Sequence, residues 1–535
     1  MLSRLHMGRE ITALMAVGAM FLTGCATPVR VSLTAAGVEP NGDNTNIALS
    51  ADGRFTVFQS RASNLVPGDT NFGPDIFLRD NQTGALELIS ASINGGTGNS
   101  WSYEPDITPD GRYVVFSSSA SDLVAGDTNA SRDVFIYDRQ NDVMEIISVD
   151  SSGMQLSAIS RGGSVTADGN TVVFFSTGTF VASDTNTSFD VYKRDRLTGS
   201  TSLVSLALSG GALGESSNPR ISKNGANVAF ESFANGFTNN DTGFFKKIYA
   251  RAELFGLRFN VAGDANAGAE LGDIVGSGFN ARIVYSSTAS NITPGDTGGF
   301  SDIFVHHIEF TGGAFNITTT NITDGADGDS VQPAVEGGVL NQMPRIVYET
   351  TATNLQEVGA TPADTNGLRD VYIYEPHPVS SGSRHRLLSV TALADLTNDI
   401  SARAALSSDG KTVAFESVAT NFGPEDTNGK KDVYLRQVNV PLIDTVTGAL
   451  TPGQTETLVL HGEFPPGDWD AWLRGDGVVS AMVTAVTTTS VTVDVELAAS
   501  ASIGPRDLWI YEDAPHLGLS APLGAADRVS VGVTP

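Results

Sequence analysis

The stretch Asp69-Thr70-Asn71-Phe72-Gly73-Pro74-Asp75-Ile76-Phe77 decides the fold, because its opening tripeptide returns along the whole chain. Asp-Thr-Asn begins again at residues 127, 184, 364 and 426, and the related Asp241-Thr242-Gly243 and Asp296-Thr297-Gly298 fill the interval. The seven copies stand 55 to 68 residues apart. A repeat of nearly constant length is the signature of an array of similar structural units.

Each repeat contains four short runs that read as β-strands. In the first repeat an Asp52-Gly53 turn, which is a strong hairpin signal, precedes the run Phe55-Thr56-Val57-Phe58. The Asp-Thr-Asn loop then leads to Asp75-Ile76-Phe77-Leu78, and a second turn leads to Leu86-Glu87-Leu88-Ile89. Such short β-branched and aromatic runs between turns predict strands. Four antiparallel strands per repeat form one blade of a β-propeller.

The seventh repeat lacks a fourth strand of its own. The first six repeats have one, at residues 86–90, 145–149, 202–206, 257–262, 314–318 and 386–390. The seventh ends at Gln437, and the run Val29-Arg30-Val31-Ser32-Leu33-Thr34 at the other end of the chain matches the missing strand. Because an unpaired edge strand promotes aggregation, pairing these two ends is favourable. The sequence predicts an all-β, seven-bladed β-propeller over residues 29–438, with the N-terminal strand closing the last blade.

The repeats resemble the TolB-like propeller repeats of bacterial envelope proteins. The shared signature is Ser-x-Asp-Gly-(basic)-x-Val-x-Phe followed by Asp-(Ile/Val)-(Phe/Tyr), and it covers roughly residues 29 to 438. The resemblance implies the propeller fold. TolB carries an additional α/β domain before its propeller, and no such segment precedes residue 29 here, so its particular partner is not transferred.

Residues 1–24 read as a signal peptide. Arg4 and Arg9 precede an apolar segment at 11–22 that is too short for a membrane span. The following Leu22-Thr23-Gly24-Cys25 resembles the bacterial lipobox, which implies cleavage before Cys25 and lipid attachment to this only cysteine of the chain. Ala26 after it resembles an outer-membrane sorting signal, and residues 25–28 form a short tether. The expected location is the bacterial outer membrane, on its periplasmic or cell-surface side.

The chain is strongly acidic. Its formal net charge is −28 and its isoelectric point is about 4.5. Nucleic-acid binding requires clustered Lys and Arg to neutralise phosphates, so nucleic acid is excluded as a partner.

The last hundred residues follow a different pattern. Alternating runs at residues 456–460, 481–483, 491–495, 507–511 and 528–531 predict strands, and about 95 residues suit an immunoglobulin-like β-sandwich at 441–535. Leu450-Thr451-Pro452-Gly453-Gln454 and Gly462-Glu463-Phe464 resemble the opening of IPT-type immunoglobulin-like domains.

The Asp-x-Asn-x-x-x-Asp pattern of the loops is the main candidate site. Its members are Asp69, Asn71 and Asp75; Asp127, Asn129 and Asp133; Asp184, Asn186 and Asp190; Asp364, Asn366 and Asp370; and Asp426, Asn428 and Asp432. Oxygen ligands at alternate positions resemble half of a calcium loop, although Ca²⁺ takes six to eight oxygens. The same residues also suit an Asx-turn, in which Asp and Asn bond nearby backbone N–H groups. The sequence leaves both interpretations open, with Ca²⁺ as the only cofactor that it suggests.

Strand order places these loops and the long connectors between repeats on one face, and the tight Asp-Gly turns on the other. Trp101 and Tyr103 lie in a connector of the elaborated face, where aromatic rings can stack on a sugar or peptide or cap the adjacent blade. Binding loops on a rigid scaffold are usual sites of function.

Catalytic motifs are missing from the sequence. None of the seven His forms a His-Glu-x-x-His motif, and no Gly-x-Ser-x-Gly elbow occurs, so no catalytic residue is assigned. The sequence therefore predicts a lipid-anchored envelope scaffold that binds a protein or glycan through the Asp-Thr-Asn face. The alternative is a propeller enzyme, such as a polysaccharide lyase or lactonase, that uses channel carboxylates such as Glu104, Asp106 and Asp273.

Overall fold

The structure is a computed structural model in which every assigned element is a β-strand. It describes residues 28–211, 213–239, 244–253, 256–263, 265–277, 280–294, 299–311, 313–337, 343–355, 364–376, 384–391, 395–422, 426–438, 442–447, 450–463, 469–474, 478–487, 490–498, 504–512 and 526–533. Within these residues no helix is long and apolar enough to cross a membrane. Pro28–Arg436 form one compact unit, and the chain from Gln437 onwards belongs to a second.

The described part of the first unit folds into seven four-stranded sheets, numbered here along the chain. Sheet 1 contains Asn44–Leu49, Phe55–Ser60, Asp75–Asp80 and Leu86–Leu88; sheet 2 contains Ser102–Ile107, Tyr113–Ser118, Asp133–Asp138 and Val143–Ile146; sheet 3 contains Ser160–Val165, Thr171–Ser176, Asp190–Asp195 and Ser200–Leu203; sheet 4 contains Ser216–Ile221, Asn227–Ser232, Lys247–Ala252 and Leu257–Asn260.

The remaining three sheets follow the same order. Sheet 5 contains Ala269–Ser277, Asn280–Ser287, Asp302–Thr311 and Ala314–Asn321; sheet 6 contains Ser330–Val335, Ile346–Thr350, Asp370–Glu375 and Arg384–Leu387; sheet 7 contains Ser401–Leu406, Thr412–Ser417, Asp432–Gln437 and Val29–Arg30. Every described strand pair within these sheets is antiparallel, so the predicted all-β architecture of repeated four-stranded meanders is confirmed.

The tight turn between the first and second strands depends on glycine. Gly111 has φ +73°, a conformation that L side chains rarely adopt, and a Cβ there would lie 2.2 Å from the Phe55 ring of sheet 1. Gly169 meets Tyr113 of sheet 2 in the same way, with φ +72° and a contact at 2.4 Å. The Asp-Gly pair therefore both turns the chain and admits an aromatic ring from the preceding sheet.

Most fourth strands end earlier than the sequence predicts. In sheet 1 the strand ends at Leu88 rather than at residue 90. The backbone N–H groups of Ile89 and Ser90 both point at the carbonyl oxygen of Ile76, at 2.8 and 3.4 Å. One carbonyl shared by two donors ends the regular ladder, and it turns the Ser90 side chain toward Asp75.

Successive sheets are joined by one repeated backbone hydrogen bond. The first residue of each first strand donates its N–H to the carbonyl oxygen of the residue before the third strand of the preceding sheet. The pairs are Ser102 to Pro74, Ser160 to Arg132, Ser216 to Phe189, Ala269 to Lys246, Ser330 to Ser301, Ser401 to Arg369 and Asn44 to Lys431, at 2.7 to 3.0 Å. The last pair joins sheet 7 to sheet 1. The first strands also contact one another in this order and return to the start, so they are innermost, as is typical of a β-propeller.

The N-terminal segment completes sheet 7. Val29 pairs with Leu435 and Arg30 with Tyr434, which is the neighbour expected from the sequence. The N–H of Val31 adds a hydrogen bond of 2.9 Å to the carbonyl oxygen of Val433. The regular strand is shorter than the predicted run 29–34, because the chain after Val31 turns so that the Ser32 hydroxyl reaches Asp432.

The hydrophobic core lies between neighbouring sheets. One cluster joins Val57, Ile76 and Leu78 of sheet 1 to Val114 and Phe116 of sheet 2, all fully buried or nearly so. A corresponding cluster joins sheet 7 to sheet 1 and includes Val31 of the N-terminal segment. Aromatic residues of second and third strands stack within the sheets, as Phe58 does on Phe77 with centroids 6.0 Å apart.

The second unit contains a four-stranded and a three-stranded antiparallel sheet. The first has the order Leu442–Thr447, Thr455–Glu463, Ser490–Leu497 and Val478–Val486, and the second the order Trp469–Arg474, Gly504–Glu512 and Ala526–Val533. All five strands predicted here are present, and the sequence analysis missed those at 442–447 and 469–474. Alternate residues of one central strand, Val491, Val493 and Val495, are fully buried.

Candidate functional site

The final Asp of each Asp-Thr-Asn loop begins a third strand and is buried. Its Oδ1 accepts a hydrogen bond from the hydroxyl of a Ser or Thr that lies just beyond the fourth strand. The oxygen of that hydroxyl accepts the backbone N–H of the residue that follows the Asp, as Ser90 Oγ does from Ile76 at 3.0 Å. The pairs are Ser90 to Asp75, Ser148 to Asp133, Ser205 to Asp190, Thr323 to Asp302, Ser389 to Asp370 and Ser32 to Asp432, at 2.6 to 2.8 Å. This contact ties the third strand to the edge of its own sheet.

The Asn of each loop is held by an Asx-turn. Its Oδ1 accepts the backbone N–H two residues later, at Gly73, Ser131, Ser188, Leu368 and Lys430. Its amide donates to a carbonyl oxygen of the neighbouring connector, at Gly98, Leu156, Leu213, Thr397 and Pro40. Of the two interpretations that the sequence left open, these contacts support the structural one for Asn71, Asn129, Asn186, Asn366 and Asn428.

The first Asp of the loop has different partners in different sheets. In sheets 3, 6 and 7 a tyrosine hydroxyl of the third strand donates to it, in the pairs Tyr192 to Asp184, Tyr372 to Asp364 and Tyr434 to Asp426. In sheets 1 and 2 the corresponding residues are Phe77 and Phe135, which have no hydroxyl. Among the loops whose first Asp the structure describes, Asp69 and Asp127 therefore have no tyrosine partner.

Burial raises the pKa of the final Asp. It raises the pKa of Asp75 to about 7 and the pKa values of Asp133, Asp190 and Asp370 to about 6, while the donated hydroxyl works in the opposite direction. The first Asp of the same loop adds like-charge repulsion in each case. Each of these loops thus holds two carboxylates close enough to repel one another.

Loops four and five depart from the pattern. The tripeptides at 241–243 and 296–298 lie outside the described residues, and so does Cys25. In sheet 4 Lys247 takes the position of the final Asp, and its ammonium donates to Asn235 at 2.7 Å. Among the described residues no group of three or more His, Cys, Asp or Glu side chains is arranged to hold a metal ion.

Trp101 and Tyr103 lie close in sequence but in different surroundings. Trp101 precedes the first strand of sheet 2 and rests on Gly73, where a Cβ would lie 1.7 Å from its Cδ1. Tyr103 was expected in a connector, but it lies within the strand Ser102–Ile107. The guanidinium of Arg132 covers its ring at 4.1 Å. The predicted contact with the adjacent sheet therefore applies to Trp101, although 46% of this side chain stays exposed.

An apolar arc, formed by Trp101, Ile159 and Phe233, lies at the inner rim of the Asp-Thr-Asn face in sheets 2, 3 and 4. Trp101 and Ile159 each precede a first strand, and the carbonyl oxygen of each accepts the backbone N–H of the residue after the second strand of its sheet. In sheet 4 Phe233 is the residue after the second strand, and its N–H donates to the carbonyl oxygen of Glu215. The equivalent contacts place all three at one level of the ring. Their exposed fractions are 46%, 44% and 54%. Sequence analysis missed Ile159 and Phe233, since their exposure follows only from the ring.

The channel carboxylates are engaged by neighbouring sheets. Glu104 Oε2 accepts the hydroxyl of Ser117 and the N–H of Gly162, at 3.1 and 3.0 Å. Asp106 accepts the N–H of Val165 at 3.1 Å and pairs with the Lys223 ammonium at 3.3 Å.

Asp273 also lies on a first strand, in sheet 5. Burial raises its pKa, while Arg220 and Lys223 lower it and Asp106 raises it further. Asp106 and Asp273 therefore share one mixed-charge cluster with these two cations, whereas Glu104 is held at the boundary between sheets 2 and 3.

Comparison with known proteins gives structural likeness only. No family model matches the chain, and no curated protein matches it. A prolyl endopeptidase structure is 10% identical with a TM-score of 0.42, over 82% of this chain and 57% of its own. A putative TolB from Agrobacterium tumefaciens is 15% identical with a TM-score of 0.31, over 52% of this chain and 81% of its own.

Dipeptidyl peptidase 4 of Porphyromonas gingivalis is 13% identical with a TM-score of 0.37, over 78% of this chain and 57% of its own. The chain thus spans little more than half the length of the two peptidases. Because every one of these TM-scores is below 0.5, the fold assignment rests on the sheets and hydrogen bonds described above.

Proposed function

We propose that this protein is a non-catalytic scaffold of the bacterial envelope, anchored in the outer membrane by lipid on Cys25. Its seven sheets form a seven-bladed β-propeller closed by the N-terminal strand, and residues 441–535 form an immunoglobulin-like sandwich. The propeller binds a protein or glycan on the Asp-Thr-Asn face. The observation that carries this proposal is the apolar arc of Trp101, Ile159 and Phe233.

The arc favours a protein partner. Exposed apolar side chains that adjoin one another on a charged surface commonly mark an interaction site. Here three exposed apolar side chains lie at one level of three successive sheets, on a chain with net charge −28. Arg132 lies over Tyr103, beside the arc, and aromatic and arginine residues contribute most to binding hot spots.

The channel supports the enzyme alternative less well. General acid–base catalysis needs a carboxyl group within reach of the substrate proton. Neighbouring sheets already engage Oε2 of Glu104 and both carboxylate oxygens of Asp106. The binding function is therefore the better supported of the two.

Site-specific photocrosslinking in intact cells tests the proposed face. A photoreactive residue at Ile159 is expected to give a specific adduct with a protein partner. The matched control is Leu197, an apolar residue that is 82% exposed in a turn between third and fourth strands, on the opposite face. Equal adducts from both positions, or none from Ile159, would contradict the proposed binding surface. An adduct that glycosidase treatment removes would identify a glycan partner.

The anchor is tested separately. Metabolic labelling with a palmitate analogue is expected to label the wild-type protein and to leave Cys25→Ala unlabelled. A labelled Cys25→Ala variant, or an unlabelled wild type, would contradict lipid attachment at this cysteine.

A further inference from the structure

The second Asp-Thr-Asn loop contains two buried carboxylate oxygens that lack a hydrogen-bond donor. Asp133 is 1% exposed, and its Oδ1 accepts the Ser148 hydroxyl at 2.6 Å, but its Oδ2 has no hydrogen-bond partner. Oδ1 of Asp127 also has no hydrogen-bond partner, although this residue is less buried and the backbone N–H of Asn129 lowers the pKa of its carboxyl group. The Asn129 amide donates one N–H to the carbonyl oxygen of Leu156 at 2.9 Å, and its second N–H lies near Asp133 and lowers the pKa of that carboxyl group.

Such an arrangement is costly without a positive charge. A buried carboxylate oxygen with no donor pays its full desolvation penalty. Two carboxylates close together repel one another, and the charge of Asp127 indeed raises the pKa of Asp133. A cation between the two groups would remove both costs.

The seventh loop shows where such a cation belongs. There Nη1 of Arg30 lies 3.4 Å from Oδ1 of Asp426 and 3.1 Å from Oδ2 of Asp432. These are the same two atoms, at the same two positions of the loop, that lack a donor in the second loop. The protein itself supplies the cation in sheet 7.

Sheet 2 has no cation at the position that Arg30 takes in sheet 7. Arg30 pairs with Tyr434 at the edge of sheet 7, and the residue that pairs with Phe135 in the corresponding position of sheet 2 is Ile146. The hydroxyl that Tyr434 gives to Asp426 is also missing in sheet 2, because Phe135 replaces the tyrosine. Sheet 4 avoids the problem in another way, since Lys247 replaces the final Asp with a positive charge.

We propose that the second Asp-Thr-Asn loop binds a divalent, oxygen-preferring cation between Oδ1 of Asp127 and Oδ2 of Asp133. Carboxylate oxygens are the ligands preferred by Ca²⁺ and Mg²⁺. Two carboxylates with bound water complete a Mg²⁺ shell, whereas Ca²⁺ needs further oxygens from backbone carbonyls. Both ions are therefore used as probes. The site is independent of the apolar arc and of any partner.

Equilibrium dialysis of the full chain, stripped with chelator, measures the number of bound Ca²⁺ or Mg²⁺ ions. Asp127→Asn removes one ligand, and Ile146→Arg supplies the guanidinium that sheet 7 has. Each variant is expected to bind one ion fewer than the wild type. The matched controls are Ile146→Leu, which keeps an apolar side chain, and Asp324→Asn, which removes an exposed carboxylate elsewhere. Both controls are expected to keep the wild-type number.

Thermal unfolding gives a second readout that does not depend on counting ions. At a cation concentration about 100 times Kd, the unfolding equilibrium constant of the wild type falls about 100-fold. Ile146→Arg is expected to lose this dependence while remaining folded by circular dichroism. The proposal is overturned if the wild type binds neither ion at about 10 mM, ten times the weakest usual Kd. It is also overturned if Asp127→Asn and Ile146→Arg retain every ion, which would place the ions elsewhere.

Discussion

The Ser32 hydroxyl donates to Oδ1 of Asp432 at 2.6 Å across 400 positions of the sequence. Its oxygen in turn accepts the N–H of Val433 at 3.0 Å. Five other sheets make this contact between a third strand and a hydroxyl that follows their own fourth strand. The N-terminal segment therefore supplies sheet 7 with both a strand and the side chain that secures it.

Ser32→Ala should destabilise the propeller. The change leaves the buried Val433 N–H without its acceptor, and it leaves Asn44 as the donor to Oδ1 of Asp432, at 3.3 Å. A buried group that loses its partner costs about 1–3 kcal/mol. Urea unfolding should show a lower free energy of unfolding. Ser157→Ala, at an exposed serine of a connector, is the control and should change it by no more than about 0.5 kcal/mol. Equal effects of the two changes would mean that Ser32 does not secure the ring.

Asp190 should make stability depend on pH between about 4 and 6. Burial raises its folded pKa to about 6, above the usual 3.8 of an Asp side chain, so near pH 5 the folded state holds a proton that the unfolded state has lost. Its contribution to stability is complete below pH 4 and is lost as the pH rises through 6. Asp190→Asn should flatten this part of the stability profile, measured by urea unfolding at several pH values. Asp324→Asn serves as the exposed control, and a profile unchanged by Asp190→Asn would refute the assignment.

Tyr434→Phe should weaken sheet 7. The Tyr434 hydroxyl donates to Oδ2 of Asp426, which is buried, so its removal should cost about 1–3 kcal/mol in chemical denaturation. Tyr113→Phe is the control, because the Tyr113 ring is held by the guanidinium of Arg112 at 4.6 Å rather than by its hydroxyl. If both changes cost the same, the hydroxyl contact with the loop contributes nothing specific.

Gly73→Ala should displace Trp101 without disturbing the core. The new Cβ would lie 1.7 Å from Trp101 Cδ1, so the indole must move. A shift of tryptophan emission is expected, together with weaker crosslinking from the apolar arc. Gly126→Ala, in the corresponding loop of sheet 2, controls for the loss of a loop glycine, since a Cβ there meets no atom within 4 Å and Gly126 is not at positive φ. An unchanged emission spectrum would show that Trp101 does not rest on Gly73.

Local sequence signals were sufficient for the strands of the seven repeats and for the pairing of the N-terminal run with the last repeat. Asp-Gly turns and short β-branched runs specify hairpins through backbone preferences that act over a few residues. The limits of the fourth strands were less accurate, because the strands end where Ile89 and Ser90 share a carbonyl oxygen. Tyr103 was placed in a connector because strand boundaries do not follow from composition alone.

The loop chemistry could be predicted only in part. Asp-Thr-Asn suits either an Asx-turn or a metal site, since the same oxygens serve both. Neither the tyrosine that reaches the first Asp nor the guanidinium of Arg30 between Asp426 and Asp432 is adjacent in sequence. These contacts arise only when separate strands pair.

By itself, the sequence determined the repeat, the four strands in each unit and the strand that the N-terminus lends to the last sheet, because turns and strands are specified by neighbouring residues. Tertiary structure decided which loop carboxylates acquire a partner and which apolar side chains lie exposed at the inner rim. Those outcomes depend on residues from different sheets, such as Trp101 and Phe233, which only the packing of sheet against sheet brings to one face.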